Sequence, residues 1–289
     1  MPITASRFFS SQPDMLTPQE EDRFFTDLKT ANNTFKRTAS DRLGAFDDDC
    51  IRRFKACRTQ LRQVLDIGIS SGCTTLDLAR RLRAAGQSPE ITGTDLSFEG
   101  YLITIWPGMQ VLVDGTGHVL QYDLFGLAVR AWTRRADYVT GLVAVRYFLH
   151  RISRSRIQAS LRAGQPASRS VRLLSPRLAD EQGIKLLEND IFTPTDDFVG
   201  RFDFIRAANI LNIGYFDEAA LRAALENVVS YLSGPDAWLL VARTKGGKSA
   251  ATLFRVSRDG RRLSVLKRYG GGSEIERLVL ATKPGRAGP

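Results

Sequence analysis

The chain has 289 residues, 43% hydrophobic and 25% charged, with a formal net charge of +10, enough apolar material for a sizeable core and too much for a disordered chain. Its longest apolar stretches, such as Val139 to Leu149, are broken by charges like Arg146 and fall short of the ~20 residues that span a bilayer, which excludes a transmembrane helix. Cys50, Cys57 and Cys73 show neither C-x-x-C spacing nor companion histidines, and the first residues hold no apolar signal core, so zinc, disulfides and export are not expected and a cytoplasmic setting is.

From Thr17 to about Arg62 the pattern is helical, with Thr17-Pro18-Gln19-Glu20 as cap and first turn and Phe24, Phe25 and Leu28 as an apolar stripe. Gln63 to Gly68 reads as a strand ending in small residues, Thr74 to Leu82 as a helix, and Glu90 to Thr94 as a second strand stopping at Asp95. That is one β-α-β unit. Residues 98–170 interrupt the alternation: Met109 to Val113, the turn Asp114-Gly115-Thr116-Gly117, and His118 to Tyr122 predict a β-hairpin within an insertion. Alternation resumes with strands at Ile184 to Leu187, Phe202 to Arg206 and Ala237 to Ala242, and a helix from Asp217 to Leu232. Thr252 to Val256 and Arg262 to Lys267, joined by Ser257-Arg258-Asp259-Gly260, predict a terminal antiparallel pair. The expected class is therefore α/β: an open, mostly parallel twisted sheet with a terminal antiparallel hairpin, an N-terminal helical extension over 1–62, and a main domain over 63–289.

In such sheets ligands bind beyond the carboxyl ends of the strands. The first strand ends there in Asp66-Ile67-Gly68-Ile69-Ser70-Ser71-Gly72, where small residues permit close backbone approach and the following helix offers unpaired N–H groups to an anion. Asp95 ends the second strand, where a carboxylate can accept both hydroxyls of a ribose.

Val64 to Gly72 resembles the first motif of the class I, Rossmann-like S-adenosylmethionine-dependent methyltransferases, with Ser70 where the middle glycine usually lies. Gly93-Thr94-Asp95-Leu96-Ser97 is similar to the second motif, Leu187 to Phe192 to the third, and Phe202 to Leu211 to the fourth. Four motifs in order outweigh any one. The resemblance implies S-adenosyl-L-methionine as cofactor, with Gly68, Ser70 and Gly72 at its methionine part and Asp66 near the amino group. It implies Asp95, with Leu96 beside it, at the ribose, Asp190 at the adenine amino group, Ile191 on the ring, and Ala207 and Asn209 at the methionine end.

Methyl transfer from a sulfonium is a task of alignment and water exclusion and needs no metal. No residue pattern marks a catalytic base. Arginine groups such as Arg151 to Arg156 lack the interleaved aromatic pattern of nucleic-acid modules, and the fourth motif lacks the paired prolines of amino-methylating nucleic-acid enzymes, so a small or amphiphilic acceptor is expected. The aromatic-rich insertion is expected to cap the substrate side of the pocket. Two rivals remain: a non-enzymatic nucleoside-binding module on the same fold, and a serine hydrolase using Gly68-Ile69-Ser70-Ser71-Gly72 as a nucleophile elbow, whose only candidate histidines are His118 and His150.

Overall fold

The computed structural model describes residues 2–11, 15–30, 42–163, 168–178 and 181–285. The chain divides into two compact units, residues 1–40 with 97–179 and residues 41–96 with 180–289, so the helical lead-in over 1–62 is shared between them.

The chain opens with α1 (Ala5–Ser10) and α2 (Pro18–Asp27), then α3 (Gly44–Ala56), β1 (Gln63–Ile67), α4 (Cys73–Ala84) and β2 (Glu90–Asp95). There follow β3 (Glu99–Trp106), β4 (Met109–Asp114), β5 (Val119–Leu124), β6 (Leu127–Arg130), α5 (Ala136–Val139), α6 (Leu142–Ala163) and β7 (Ser168–Arg172). The remainder is β8 (Ile184–Glu188), β9 (Phe204–Ala208), α7 (Glu218–Ser230), β10 (Trp238–Lys245), β11 (Lys248–Val256), β12 (Leu263–Tyr269) and α8 (Glu276–Ala281).

Helix α2 begins as its sequence predicts, with the Thr17 hydroxyl accepting from the Glu20 N–H and the Glu20 carboxylate returning to the Thr17 N–H. The helical pattern does not run on to Arg62. Arg58 turns left-handed (φ +54°), and the Thr59 N–H reaches back 2.8 Å to the Phe54 carbonyl, which closes α3. Part of the expected helical stretch, residues 31–41, lies outside the described residues.

The second unit holds a seven-stranded sheet ordered β12-β11-β10-β9-β1-β2-β8. Strands β8, β2, β1, β9 and β10 pair in parallel, while β11 and β12 follow as an antiparallel meander, longer than the expected terminal pair because β10 also turns directly into β11. Alternate residues serve opposite faces. Leu65, Ile67, Ile205, Leu239 and Val241 pack with Leu221, Leu225 and Val228 of α7, and Val64, Phe204, Trp238 and Leu240 pack with Phe54 of α3 and Leu78 and Leu82 of α4. A sheet covered on both faces explains why these strands read as continuous apolar runs.

The first unit holds a five-stranded antiparallel sheet, β6-β5-β4-β3-β7. The predicted hairpin is β4–β5, and its turn is closed by the Asp114 carboxylate, which accepts from the N–H groups of Thr116 (2.9 Å) and His118 (3.0 Å). One face of the sheet, with Leu102, Leu112 and Leu120, buries Phe8 of α1 and Phe24 and Phe25 of α2. The other, with Ile103, Val111 and Val113, buries Leu149 and Ile157 of α6. Backbone bonding reinforces the first contact, since the Ala5 N–H donates to Gln121 Oε1 at 2.7 Å. None of the described helices is long and apolar enough to cross a membrane.

Candidate functional site

The carboxyl ends of β1, β2, β8 and β9 lie side by side in the seven-stranded sheet. Between β1 and α4 the backbone turns left-handed at every second residue, Gly68 (φ +72°), Ser70 (φ +59°) and Gly72 (φ +78°). Such a conformation suits glycine and strains a side chain, so the alternating small residues of the sequence are a geometric requirement of this loop. A Cβ on Gly68 would stand 3.2 Å from that of Ile210, which closes the loop's other side. No side chain caps α4 at Gly72.

The loop is anchored to β2. The N–H groups of Gly68 and Ile69 donate to the Thr94 carbonyl at 2.8 and 3.0 Å, and the Ser70 N–H donates to Asp95 Oδ2 at 2.6 Å. Asp95 Oδ1 accepts from the Leu96 N–H at 2.8 Å, and its carbonyl accepts from the Asn189 N–H at 2.8 Å, tying the ends of β2 and β8 together. Leu96 is 67% exposed beside it. At the end of β9, Asn209 is also left-handed (φ +62°), its Oδ1 accepting from the Thr244 N–H at 2.6 Å. Ser70 Oγ and Asn209 Nδ2 are both buried without a hydrogen-bond partner among the described residues. Orphaned polar atoms of this kind, on two neighbouring strand ends, call for an explanation by something bound.

Gly68, Ser70, Gly72, Asp95, Leu96 and Asn209 thus share one strand-end region. Asp190 is exposed, and its Oδ1 accepts from the Phe192 N–H at 3.0 Å within its own loop. Three residues named from the resemblance are interior. Ile191 (7% exposed) and Ala207 (0%) belong to the core on the α7 face, so it is Phe192, edge-on to Phe216 at 5.1 Å, that is the more open residue of the β8–β9 connection. Asp66 is 2% exposed, and both its oxygens are taken inside the protein.

Those oxygens meet a residue the sequence reading passed over. The Arg206 guanidinium, fully buried on β9 opposite Asp66 in register, grips it with Nε to Oδ1 at 2.9 Å and Nη2 to Oδ2 at 2.6 Å. Its Nη1 donates to Asp47 Oδ2 of α3 at 2.7 Å, and the Thr75 hydroxyl of α4 adds a 2.7 Å bond to Asp66. Burial pushes the Asp47 carboxyl up to about 6 in spite of the neighbouring guanidinium. For Arg206, burial alone would lower the pKa, but the charges of Asp47 and Asp66 outweigh it and hold the guanidinium protonated. The available signal was a lone arginine inside the apolar run Phe204 to Ala208, which a doubly covered strand tolerates only if acids pair with it.

No family model matches the sequence, and no curated protein matches it. Solved structures do. The chain is similar to methyltransferases. They include the N-methyltransferase NodS from Bradyrhizobium japonicum WM9 in complex with S-adenosyl-L-homocysteine, at 14% identity over 80% of this chain and 73% of that one, with a TM-score of 0.35. CalS10, an amino pentose methyltransferase from Micromonospora echinaspora, matches at 15% identity over 76% and 65% of the two chains, with a TM-score of 0.31. The CMeT domain of the citrinin polyketide synthase matches at 18% identity and a TM-score of 0.31 over 63% of this chain, which spans only 28% of that one. Likeness at this level bears on neither reaction nor substrate.

Proposed function

We propose that the protein is an S-adenosylmethionine-dependent methyltransferase acting on a small or amphiphilic acceptor. The observation that carries this reading is the loop Gly68 to Gly72, left-handed at three alternate positions and held by Asp95, with Ser70 Oγ and Asn209 Nδ2 buried and unpartnered beside it. A backbone of this shape brings N–H groups and the start of α4 within reach of a carboxylate, while Asp95 offers a strand-end carboxylate for ribose hydroxyls. In this assignment Leu96 flanks the nucleoside, Asp190 accepts from the adenine amino group, and Asn209 donates at the methionine end. The bound cofactor supplies an already activated methyl group. The protein's share is to align the acceptor and exclude water.

Among the described residues Ser70 Oγ has no hydrogen-bond partner to serve as its base, which weighs against the nucleophile reading of Gly68 to Gly72.

Calorimetry with S-adenosylmethionine and S-adenosylhomocysteine tests the proposal. Both are expected to bind, and Asp95→Ala is expected to weaken both by about ten- to hundredfold, the worth of losing hydrogen bonds to a charged acceptor. Absence of binding to either ligand by the folded wild-type protein overturns it.

A further inference from the structure

The Arg206 cluster holds one more acid than charge balance requires. Asp66 takes Nε and Nη2 of the guanidinium and neutralises it, while Asp47 takes Nη1, a bond that an uncharged acceptor could also supply. Asp47 is 1% exposed on α3, with Oδ2 on Arg206 and Oδ1 buried without a partner among the described residues. With both carboxylates ionised the three groups Asp47, Asp66 and Arg206 sum to one net negative charge in the interior, two residues before Gly68. Among the described residues, Arg81 of α4 draws the Asp47 carboxyl down but also bonds Asp48 at 2.6 Å, and the Cys50 thiol of α3 is kept neutral by its own burial. Uncompensated buried charge costs stability, and a neutral acceptor would serve Nη1 without that cost, so the structural role explains the bond of Asp47 and not its charge.

We propose that Asp47 is a specificity-determining residue, whose excess negative charge at the root of the glycine loop favours a positively charged sulfonium donor over its neutral thioether product. The inference rests on the reading of this site as one for S-adenosylmethionine. Donor and product differ by one methyl group and one positive charge, and contacts to ribose, adenine and the methionine carboxylate hardly tell them apart. A fixed interior charge does, because it acts through low-dielectric protein with little screening by salt. The raised Asp47 pKa adds a pH dependence: as pH falls through about 6 the carboxyl takes up a proton, the cluster becomes neutral and the discrimination weakens. Groups facing Asp47 that share in this balance are Arg206 on β9, Asp66 on β1, Arg81 on α4 and Cys50 on its own helix.

The test is the ratio of S-adenosylmethionine to S-adenosylhomocysteine affinity, measured by calorimetry for the wild-type protein and Asp47→Asn at pH 7 and pH 5. The amide keeps an oxygen for Arg206 and removes only the charge. At pH 7 the variant's ratio is expected to fall by about three- to tenfold, the order of one screened interior charge. The wild-type ratio is expected to fall between pH 7 and pH 5, and the variant's to stay flat. Loosening of the fold moves both affinities together and leaves the ratio alone, so a merely structural Asp47 gives an unchanged ratio at both pH values and overturns the proposal. If neither ligand binds the wild type, the cofactor reading falls and this inference with it. If the variant does not fold, the wild-type pH arm decides by itself.

Discussion

Arg206 of the seven-stranded unit and Arg146 of the five-stranded unit are both buried, at 0% and 6% exposure, yet they are used differently. Each guanidinium nitrogen of Arg206 is on a carboxylate, and its partners come from α3 and β1, 159 and 140 residues away in sequence. Arg146 of α6 has one acid, Asp137 of α5, and one carbonyl, that of Arg130 at the end of β6, 9 and 16 residues away, while its Nη1 has no partner. The backbone N–H of Arg134, and then the charge of Arg146, hold Asp137 below the usual carboxylate range. A single pair therefore fixes a local corner, whereas the Arg206 cluster joins distant segments beside the candidate site and carries excess charge. Interior ions cost least where they are balanced, so imbalance marks the place to look for function.

Breaking the cluster is expected to have the largest effect. Arg206→Met strands two buried acids and is expected to cost about 3–5 kcal/mol in denaturant unfolding. Adding Asp47→Asn and Asp66→Asn to that background is expected to recover most of the loss, and failure to do so would mean that the guanidinium matters for its shape.

Asp47→Asn alone sharpens the comparison through pH. The folded-state pKa of Asp47, about 6, lies above its ordinary value of 3.8, so its contribution to stability is present in full below pH 4 and is lost as pH rises through 6. The variant is expected to be more stable than wild type at pH 8, by up to about 3 kcal/mol, and to lose that advantage near pH 4. Thermal melts at the two pH values check the sign.

Arg146→Met is expected to lower the melting temperature less than Arg206→Met. Its local effect is readable in Trp132, which donates from Nε1 to the Asp27 carbonyl at 2.8 Å and lies under the guanidinium groups of Arg130 and Arg134. A change in tryptophan emission before global unfolding is the expected signature. The smallest effect belongs to Ser70→Gly, which relieves a left-handed serine and is expected to add about 0.5–1 kcal/mol while leaving cofactor affinity within a fewfold. Lost stability there would show that the Ser70 hydroxyl has a partner in solution.

What the sequence made legible follows from locality. Strand β1, its small-residue loop and Asp95 were readable because one short segment contains the whole pattern, and the Thr17 cap and Asp114 turn for the same reason. The interior placement of Asp66 was not readable, since it depends on Arg206 arriving in register from 140 residues downstream. Ala207 resembles a pocket residue in the linear motif, yet strand alternation turns it with Ile67 toward α7. Helix α6 was hidden because Arg146, Arg151 and Arg154 break its apolar periodicity, and β3 could not be matched to β7 without knowing that 97–179 fold with 1–40.

That last pairing also sets a timetable. The rings of Phe8, Phe24 and Phe25 form one tight cluster, with Phe8 stacked on Phe24 at 3.9 Å, and their cover includes Leu112, Leu120, Val171 and Leu173. On the ribosome the rings emerge well over a hundred residues before the last of that cover, roughly ten to thirty seconds at ordinary elongation rates. Through that interval some of the most apolar side chains of the nascent chain stand without their sheet, so chaperone demand falls on the segment that carries the rings.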